Sequence, residues 1–323
     1  MKIVVTGALG HIGSRLVRDL PSFFPESEII MVDNMITQRY CSLFDLPAEG
    51  NYRFLEADVT RMDLSALLND VDVVVHLAAL TDAAGSFGRA EEVERNNFEA
   101  TQRLAEACAR HGVRLIALSS TSVYGTQADA VDEDCSESEL KPQSPYATTK
   151  LREERLVQGL VREQGLNAVV FRFGTIFGIS PGMRFHTAVN KFCWQASMGQ
   201  PITVWTTAYD QKRPYLDLGD ATRAIAFAIR EGLFDGRVYN VVTVNATVRQ
   251  VVDIIRQEVP ALQVKFVDSQ IMNQLSYEVL NTRITDAGFG VLGDMEKGIS
   301  GTIKLLKNAN HHDHGVPSRD GHG

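Results

Sequence analysis

The sequence predicts an α/β fold: a doubly wound parallel sheet with helices on both faces, and a smaller C-terminal α/β substrate lobe. Three observations predict it. Short apolar runs alternate with helical patterns through the first half of the chain. Residues 71–77 form a largely apolar run, as expected of a strand covered on both faces. A glycine-rich turn joins the first predicted strand to the first predicted helix.

The first half contains six predicted strands. They are predicted at residues 2–5, 28–32, 53–57, 71–77, 114–118 and 168–173. Helical patterns cover residues 14–20 and 91–110, and Gly112 ends the second of these helices. A third helix begins at Pro145 and continues to about residue 163, because Ser144 offers an N-cap and proline suits the first helical position. This alternation predicts parallel strands joined by right-handed crossovers.

The second half is less regular and is predicted to form a lobe over the carboxyl ends of the strands, where open α/β sheets bind ligands. Helices are predicted at residues 185–198, 217–230 and 247–258, and strands at residues 202–205 and 238–242. Asp217 or Asp220 supplies a helix start, and Pro260 a helix end.

The predicted domains are discontinuous. We expect residues 1–175 and 216–243 to form the larger domain, which contains the parallel sheet, and residues 176–215 and 244–307 to form the smaller lobe. Residues 308–323 are polar and rich in His and Gly, which predicts a disordered tail rather than a metal site.

The turn after the first strand has the composition of a pyrophosphate site. Gly7 permits a tight turn, Gly10 lets backbone N–H groups approach an anion, and Gly13 lets the helix pack closely on the strand. Asp33 ends the second strand, where its carboxylate can accept hydrogen bonds from an adenosine ribose and would repel a 2′-phosphate. The sequence therefore predicts a Rossmann-type fold that binds NAD in preference to NADP.

The composition argues against a nucleic-acid, membrane or metal function. The chain has 323 residues and a formal net charge of −8, with scattered basic residues. Neither a bilayer-length apolar run nor a signal-peptide pattern is found. The four cysteines lack metal-ligand spacing. We expect a soluble, cytoplasmic protein with free thiols and no metal site.

Tyr146 and Lys150 are the strongest catalytic candidates. Residues four apart share one face of a helix, so the phenol and the ammonium project into the same space. The ammonium and the positive ring of oxidised NAD would lower the pKa of the phenol, which could then take a proton from a substrate hydroxyl. Residues 119–122, Ser-Ser-Thr-Ser, follow a strand that would end beside the cofactor, where a hydroxyl can bind the reacting alcohol. Taken alone, the Tyr146 and Lys150 pair also fits a solvated helix face. The serine-rich segment taken alone also fits a turn whose hydroxyls bond its own backbone.

Taken in order, these motifs resemble the extended short-chain dehydrogenase/reductase family, in its NAD-dependent nucleotide-sugar epimerase/dehydratase branch. Residues 76–79, His-Leu-Ala-Ala, and the segments 172–178 and 211–220 carry the resemblance further. It extends to about Phe289. It implies a Rossmann domain with a sugar-nucleotide lobe, and a homodimer built from the helices near Glu91 and Tyr146.

The resemblance also implies roles for particular residues. The implied catalytic residues are Ser120, Tyr146 and Lys150. The implied cofactor residues are Gly7, Gly10, His11, Ile12, Gly13, Asp33, Asn34, Asp58, Val59, Leu77, Ala78, Ala79, Asn97, Tyr146 and Lys150. The implied substrate residues are Thr81, Ser122, Arg172, Thr175 and Arg213. The substrate would be a nucleotide sugar, with a UDP-hexose or UDP-hexosamine favoured.

The chain departs from the branch in ways that bear on the reaction. Thr175 stands where relatives usually have Asn, and residues 271–278 lack a second phosphate-binding Arg besides Arg213. Dehydratases of the 4,6 class typically carry Asp and Glu where this chain has Thr121 and Ser122. Transient oxidation at carbon 4 leading to 4-epimerisation is therefore the leading prediction.

Three alternatives remain. One is a dehydratase that performs 4,6 or 5,6 elimination with the same Ser/Tyr/Lys core. The others are a dehydrogenase that releases NADH and a non-enzymatic dinucleotide sensor, although a sensor would not need the Tyr146 and Lys150 pair.

Overall fold

The computed structural model of the protein describes residues 1–81, 88, 90–127, 130–268 and 276–307. Within these ranges the strands are β1 (Lys2–Thr6), β2 (Glu28–Asp33), β3 (Asn51–Glu56), β4 (Val73–His76), β5 (Arg114–Ser120), β6 (Ala130–Val131), β7 (Ala168–Phe173), β8 (Thr175–Phe177), β9 (Ile202–Trp205), β10 (Lys212–Asp217), β11 (Asp235–Val241), β12 (Val244–Thr247), β13 (Val264–Val267) and β14 (Glu278–Val279). The helices are α1 (His11–Phe23), α2 (Leu64–Leu67), α3 (Ala90–His111), α4 (Pro145–Gln164), α5 (Ala188–Ser197), α6 (Leu218–Glu231), α7 (Val248–Glu258), α8 (Thr282–Asp286) and α9 (Met295–Leu306).

A seven-stranded sheet runs in the order β11-β7-β5-β4-β1-β2-β3, and all its neighbouring pairs are parallel. The strand order reverses at β1, whose Thr6 lies in register with Val32 of β2 and His76 of β4. The carboxyl ends of these strands therefore meet at a topological switch point, where such sheets bind ligands. The predicted doubly wound α/β fold is confirmed.

Alternating side chains of the strands bury against helices on opposite faces of this sheet. Ile3 and Val5 pack in a core with residues of α1 and α6, whereas Val4, between them, packs with residues of α2, α3 and α4. This alternation is the period of two that a strand imposes. It explains why the central strands are apolar on both faces.

A separate core lies in the second half of the chain. Helices α5, α7 and α9 and strand β9 supply most of its buried side chains, among them Phe192, Ile202, Ile255 and Ile299. The predicted division of the chain into two domains stays a prediction, and β10 runs across its 215/216 boundary. The predicted disordered tail, residues 308–323, lies outside the described residues.

Two helix starts differ from the predicted ones by three residues. Helix α1 begins at His11 rather than residue 14, because Gly10 already acts as its N-cap. Helix α5 begins at Ala188 rather than residue 185, and the ring of Phe185 packs on Trp194 with centroids 5.1 Å apart. Among the described residues, no helix is long and apolar enough to cross a bilayer.

Candidate active site

The glycine-rich turn lies at the carboxyl edge of the sheet. Gly7 has a φ of +66°, and a Cβ there would lie 2.7 Å from the Ala78 backbone nitrogen. A Cβ at Gly13 would lie 2.3 Å from the Gly7 carbonyl oxygen. Gly10 caps α1, and Ile12 packs against the core beneath that helix. The turn therefore offers bare backbone and a helix N-terminus, which fits the pyrophosphate of a dinucleotide.

Four predicted cofactor residues lie beside this turn. The carboxylate of Asp33 accepts hydrogen bonds from two backbone N–H groups, at 3.1 and 3.0 Å, and one of them belongs to the turn. The amide of Asn34 donates to Asp58 at 3.2 Å, and Val59 is buried. The structure thus brings these side chains to neighbouring positions, and their contacts with a ribose or a base stay predictions.

Residues 178–182, which we call the strap, follow β8 and cross the glycine-rich turn. The imidazole of His11 donates to the Gly178 carbonyl at 2.9 Å, and the Gly182 N–H donates to the Ser14 hydroxyl at 2.9 Å. Burial lowers the pKa of His11 to about 4, so this imidazole is neutral near pH 7. His11 was predicted to bind the cofactor, and the structure shows that its ring holds the strap.

The loop after β4 forms the other side of the turn. The N–H groups of Leu77 and Ala78 donate to the carbonyl and hydroxyl oxygens at the end of β1, at 3.0 and 3.3 Å, and Ala79 follows them. The buried side chain of Asn97 bonds both the N–H of Leu80, at 2.8 Å, and its carbonyl, at 3.0 Å. Asn97 therefore fixes this loop, and its predicted contact with the cofactor remains untested.

The serine-rich turn after β5 forms a short 3-10 helix, Thr121–Tyr124, which Ser120 caps. The Ser120 hydroxyl accepts a hydrogen bond from the Ser122 N–H at 3.2 Å. The hydroxyl oxygen of Ser122 is buried without a partner among the described residues. A buried unpaired hydroxyl costs free energy unless a ligand or water completes it. The unpaired hydroxyl of Ser122 therefore suits its predicted contact with the substrate.

Helix α4 packs against the serine-rich turn and carries the predicted base. Ser144 caps the helix by accepting from the Ala147 N–H at 3.1 Å, and Pro145 takes the first helical position. The Lys150 Nζ lies 6.0 Å from the centroid of the Tyr146 ring. Phenol and ammonium therefore lie on one side of the helix, as their spacing predicts.

The acidity of Tyr146 depends on burial as well as on the neighbouring ammonium that the sequence predicted. Burial raises the pKa of the phenol, Lys150 and Arg184 oppose that rise, and Glu153 adds to it. The net direction is upward. Without a cofactor, the ammonium does not lower the pKa of the phenol below its usual value, because burial disfavours the phenolate more strongly.

Arg172 is buried in β7 among protein groups. Its Nε and Nη2 donate to the carboxylate of Glu154 at 2.9 and 2.6 Å, and its Nη1 donates to the Tyr124 hydroxyl at 2.9 Å. These contacts tie α4 and the serine-rich turn to the sheet. They give Arg172 a structural role, since the fork of its guanidinium is engaged by protein groups. Its predicted role in substrate binding stays a prediction.

Arg213 and Thr175 lie on β10 and β8, which are neighbours in a three-stranded sheet. Burial raises the pKa of Tyr277, and the charge of Arg213 opposes that rise. Tyr277 also shares a hydrogen bond with Thr121. Arg213 is therefore linked to the serine-rich turn through Tyr277, a residue that sequence reasoning missed because no periodic pattern surrounds it.

Arg184 is a second residue that the sequence did not reveal. Its guanidinium donates to the Thr81 hydroxyl at 2.6 Å, and its charge acts on both Tyr146 and His11. It follows the strap in a segment without helix or strand, where a single Arg gives no signal. The structure thus places a cation between the predicted base and the glycine-rich turn.

Two thiols contact groups near this site: Cys41 donates to the Pro181 carbonyl of the strap at 3.3 Å, and Cys135 shares a hydrogen bond with Arg172. The four cysteines are free. Within the described ranges, no group of three or more His, Cys, Asp or Glu side chains is placed to hold a metal ion.

Residues 3–241 match the model of the NAD dependent epimerase/dehydratase family. This chain belongs to that family. NAD is therefore its cofactor, and the predicted seat of its pyrophosphate is the glycine-rich turn described above. The family consists of enzymes, so a purely regulatory dinucleotide sensor is not needed to explain the site.

Two relatives and one solved structure illustrate the range of this epimerase/dehydratase family. The uncharacterized UDP-glucose epimerase YtcB of Bacillus subtilis (strain 168) is 32% identical over 250 residues, which is 75% of this chain and 76% of YtcB. The trifunctional UDP-glucose 4,6-dehydratase/UDP-4-keto-6-deoxy-D-glucose 3,5-epimerase/UDP-4-keto-L-rhamnose-reductase RHM1 of Arabidopsis thaliana is 29% identical over 316 residues. That match covers 93% of this chain but 46% of RHM1, so the chain spans about half of that relative.

The solved structure is UDP-glucuronic acid 4-epimerase from Bacillus cereus, in complex with UDP-glucuronic acid and NAD. It is similar to this protein with a TM-score of 0.86 at 26% identity, over 96% of this chain and 100% of that chain. The similarity includes both the Rossmann domain and the second core.

Proposed function

We propose that this protein is a nucleotide-sugar 4-epimerase acting on a UDP-hexose or UDP-hexosamine. The observation that carries the proposal is the serine-rich turn, where Thr121 and Ser122 follow the catalytic Ser120. Elimination of water needs an acid and a base near the sugar, and aliphatic hydroxyls serve poorly as either near neutral pH. Epimerisation needs one base for the 4-hydroxyl, which Tyr146 supplies. YtcB and the Bacillus cereus enzyme support UDP as the carrier.

In the proposed reaction, the phenolate of Tyr146 removes the proton of the 4-hydroxyl while the Ser120 hydroxyl holds the same oxygen. Bound NAD would supply the hydride acceptor for carbon 4 and then the hydride donor, so the overall reaction is redox-neutral. Lys150 holds the nicotinamide ribose and favours the phenolate electrostatically. The keto sugar turns its other face before reduction, and Tyr146 then returns the proton to the 4-oxygen.

Cationic side chains hold the diphosphate in this proposal. Arg213 takes one side, as the sequence predicts, and its guanidinium suits bidentate contact with phosphate. Arg184 supplies the second cation that the segment 271–278 lacks. Two observations support this assignment: the charge of Arg184 acts on Tyr146, and its guanidinium donates to the Thr81 hydroxyl at 2.6 Å.

Dehydration is the second candidate, since RHM1 includes a 4,6-dehydratase. It would require a proton carrier other than Thr121 and Ser122.

A panel of UDP-, dTDP- and GDP-hexoses, analysed by NMR and mass spectrometry, tests the proposal. We expect an unchanged mass with ring signals of the 4-epimer for a UDP-sugar, and no accumulation of NADH. Loss of the mass of one water would identify a dehydratase instead. Stoichiometric NADH would identify a dehydrogenase, and no conversion of any sugar would contradict the enzyme proposal.

We also propose that the enzyme is a homodimer formed through α3 and α4, as in the family that the sequence resembles. These helices pack against each other, and Arg152 of α4 lies over the Phe98 ring of α3 at 4.5 Å. Light scattering should give twice the chain mass of 35.7 kDa. A monomer that remains active would refute this assembly.

A further inference from the structure

A buried carboxylate contacts the ammonium of the catalytic pair. Glu153 lies one turn after Lys150 on α4, is 4% exposed, and accepts a hydrogen bond from the Lys150 Nζ on its Oε2 at 2.9 Å. Its Oε1 is buried without a partner among the residues that the structure describes. Burying a charge without full hydrogen bonding costs free energy, so helix stability alone does not account for this residue.

The same Oε2 ends a chain of hydrogen bonds that begins at the cofactor edge of the sheet. Thr101 donates to Glu153 at 3.0 Å, which leaves its oxygen to accept from the His76 Nε2 at 3.2 Å. The His76 Nδ1 then accepts from the Thr6 hydroxyl at 2.7 Å. Burial lowers the pKa of His76 to about 3, so the ring is neutral, and these partners place its one proton on Nε2. Every donor in this series of hydrogen bonds therefore points toward Glu153.

The charges around the phenol come from helix α4 and from the segment after the strap. Lys150 and Glu153 lie on its own helix, Arg184 follows the strap, and the serine-rich turn presents hydroxyls. Burial raises the pKa of the phenol, the two cations oppose that rise, and Glu153 reinforces it. The neighbouring Glu154 is held by the buried guanidinium on β7 at 2.6 Å. Glu154 also raises the pKa of Lys150 through its charge, whereas Glu153 both hydrogen-bonds Lys150 and acts on the phenol.

We propose that Glu153 is a positioning residue of the redox site, which anchors the Lys150 ammonium and offsets part of its charge at the Tyr146 phenol. The phenol then remains protonated in the free protein, and the positive ring of oxidised NAD supplies the charge that favours its ionisation. The inference rests on the proposed function only in taking Tyr146 as the base.

Titration of the phenol tests this directly. The protein is labelled at tyrosine Cζ and followed by NMR, and the Tyr146 resonance is identified by its loss in Tyr146→Phe. Glu153→Gln should lower the pKa of the phenol, because glutamine keeps the shape and an acceptor but carries no charge. Glu163→Gln is the matched control, since it removes the same charge from an exposed site on the same helix, and it should leave the titration unchanged. Identical titrations of the wild type and Glu153→Gln would overturn the proposal.

A second comparison uses Lys150→Met with and without Glu153→Gln. Neither of these variants contains a lysine that has lost its carboxylate partner. Lys150→Met should raise the pKa of the phenol, because only Arg184 then opposes the effects of burial and of Glu153. Adding Glu153→Gln to Lys150→Met should lower that pKa again. If Lys150→Met and the double variant titrate alike, the carboxylate exerts no field at the phenol and the proposal is wrong.

The pH profile of turnover separates this inference from the proposed function. The acidic limb of kcat/KM should move to lower pH in Glu153→Gln and stay in place in Glu163→Gln. A shifted NMR titration in a protein that converts no sugar would support Glu153 and contradict the epimerase. Turnover with an unshifted profile would support the epimerase and contradict Glu153.

Discussion

The phenol of Tyr146 is the group that exchanges a proton with the sugar in the proposed reaction. Its pKa is raised by burial, so the cations around it determine how much phenolate forms at a given pH. Lys150 provides one such cation from the next turn of α4, and Arg184 provides another from the segment after the strap. Proton transfer is therefore the step most sensitive to changes of charge in this site.

Removing the phenol hydroxyl tests this role. Tyr146→Phe should lower kcat by about 10²- to 10⁴-fold, the usual contribution of a positioned acid–base group. The variant should keep the far-ultraviolet circular dichroism of the wild type. Tyr209→Phe, which removes a hydroxyl from the other lobe, is the control and should retain full activity. Equal rates in all three proteins would exclude Tyr146 as the base.

The burial of His76 predicts how the free energy of unfolding depends on pH. The pKa of His76 is about 3 in the fold and 6.5 in the unfolded chain, so it is lowered by burial on folding. Its contribution to stability is complete above pH 6.5 and is lost as the pH falls toward 3. In this range one proton binds on unfolding, and the free energy of unfolding should fall by up to about 1.4 kcal/mol per pH unit.

Urea denaturation at a series of pH values measures this slope. His76→Gln should have a smaller slope than the wild type below pH 6.5, although it will be less stable overall because it loses bonds to Thr6 and Thr101. A variant with the wild-type slope would show that His76 does not titrate on unfolding.

For single residues, the sequence predicted which side chains share a helix face, but not the burial and charges around them. Helical spacing is local, so it predicted that Tyr146 and Lys150 share a face. The pKa of the phenol depends instead on burial, on Glu153 and on Arg184, and the last of these comes from a distant segment. Arg172 shows the same limit, since its partner Glu154 became its neighbour only through packing of α4 on β7.

The turn between β1 and α1 is the element that sets the cofactor site. Gly13→Ala would place a Cβ 2.3 Å from the Gly7 carbonyl, so α1 must move away from β1. We expect a loss of about 1–3 kcal/mol of stability, and weaker binding of NAD in calorimetry. Gly159→Ala on α4 is the control, because its Cβ would meet nothing within 4 Å. It should stabilise the protein by about 0.5–1 kcal/mol without changing the affinity for NAD.

Helix caps explain why most elements of the sheet domain were predictable. Ser144 with Pro145, and Asp217 before α6, are local signals whose hydrogen bonds the structure shows. The start of α5 was predicted three residues too early, because the apolar Phe185 continues the periodic pattern of the helix. Its ring instead packs on Trp194 from outside the helix. Periodicity identifies apolar contacts, and does not by itself show whether the backbone is helical.

Across the whole molecule, the strap joins the second half of the chain to the glycine-rich turn. A Cβ on Gly182 would lie 2.2 Å from the Leu9 carbonyl and 2.5 Å from that of Gly10, so Gly182→Ala should displace the strap. We expect a lower melting temperature and faster loss of NAD during dialysis. Gly301→Ala on α9 would meet only Ile179, at 3.6 Å, and should leave both unchanged. If Gly182→Ala retains NAD as the wild type does, the strap has no part in holding the cofactor site together.

The hydrogen bonds of the strap to His11 and Ser14 also bear on how long a dinucleotide stays. They fasten the strap to the glycine-rich turn, which is the predicted seat of the pyrophosphate. In the proposed reaction each hydride returns within one cycle, so the enzyme would not need to exchange its nicotinamide. We therefore expect NAD to stay bound to the protein through purification and many turnovers.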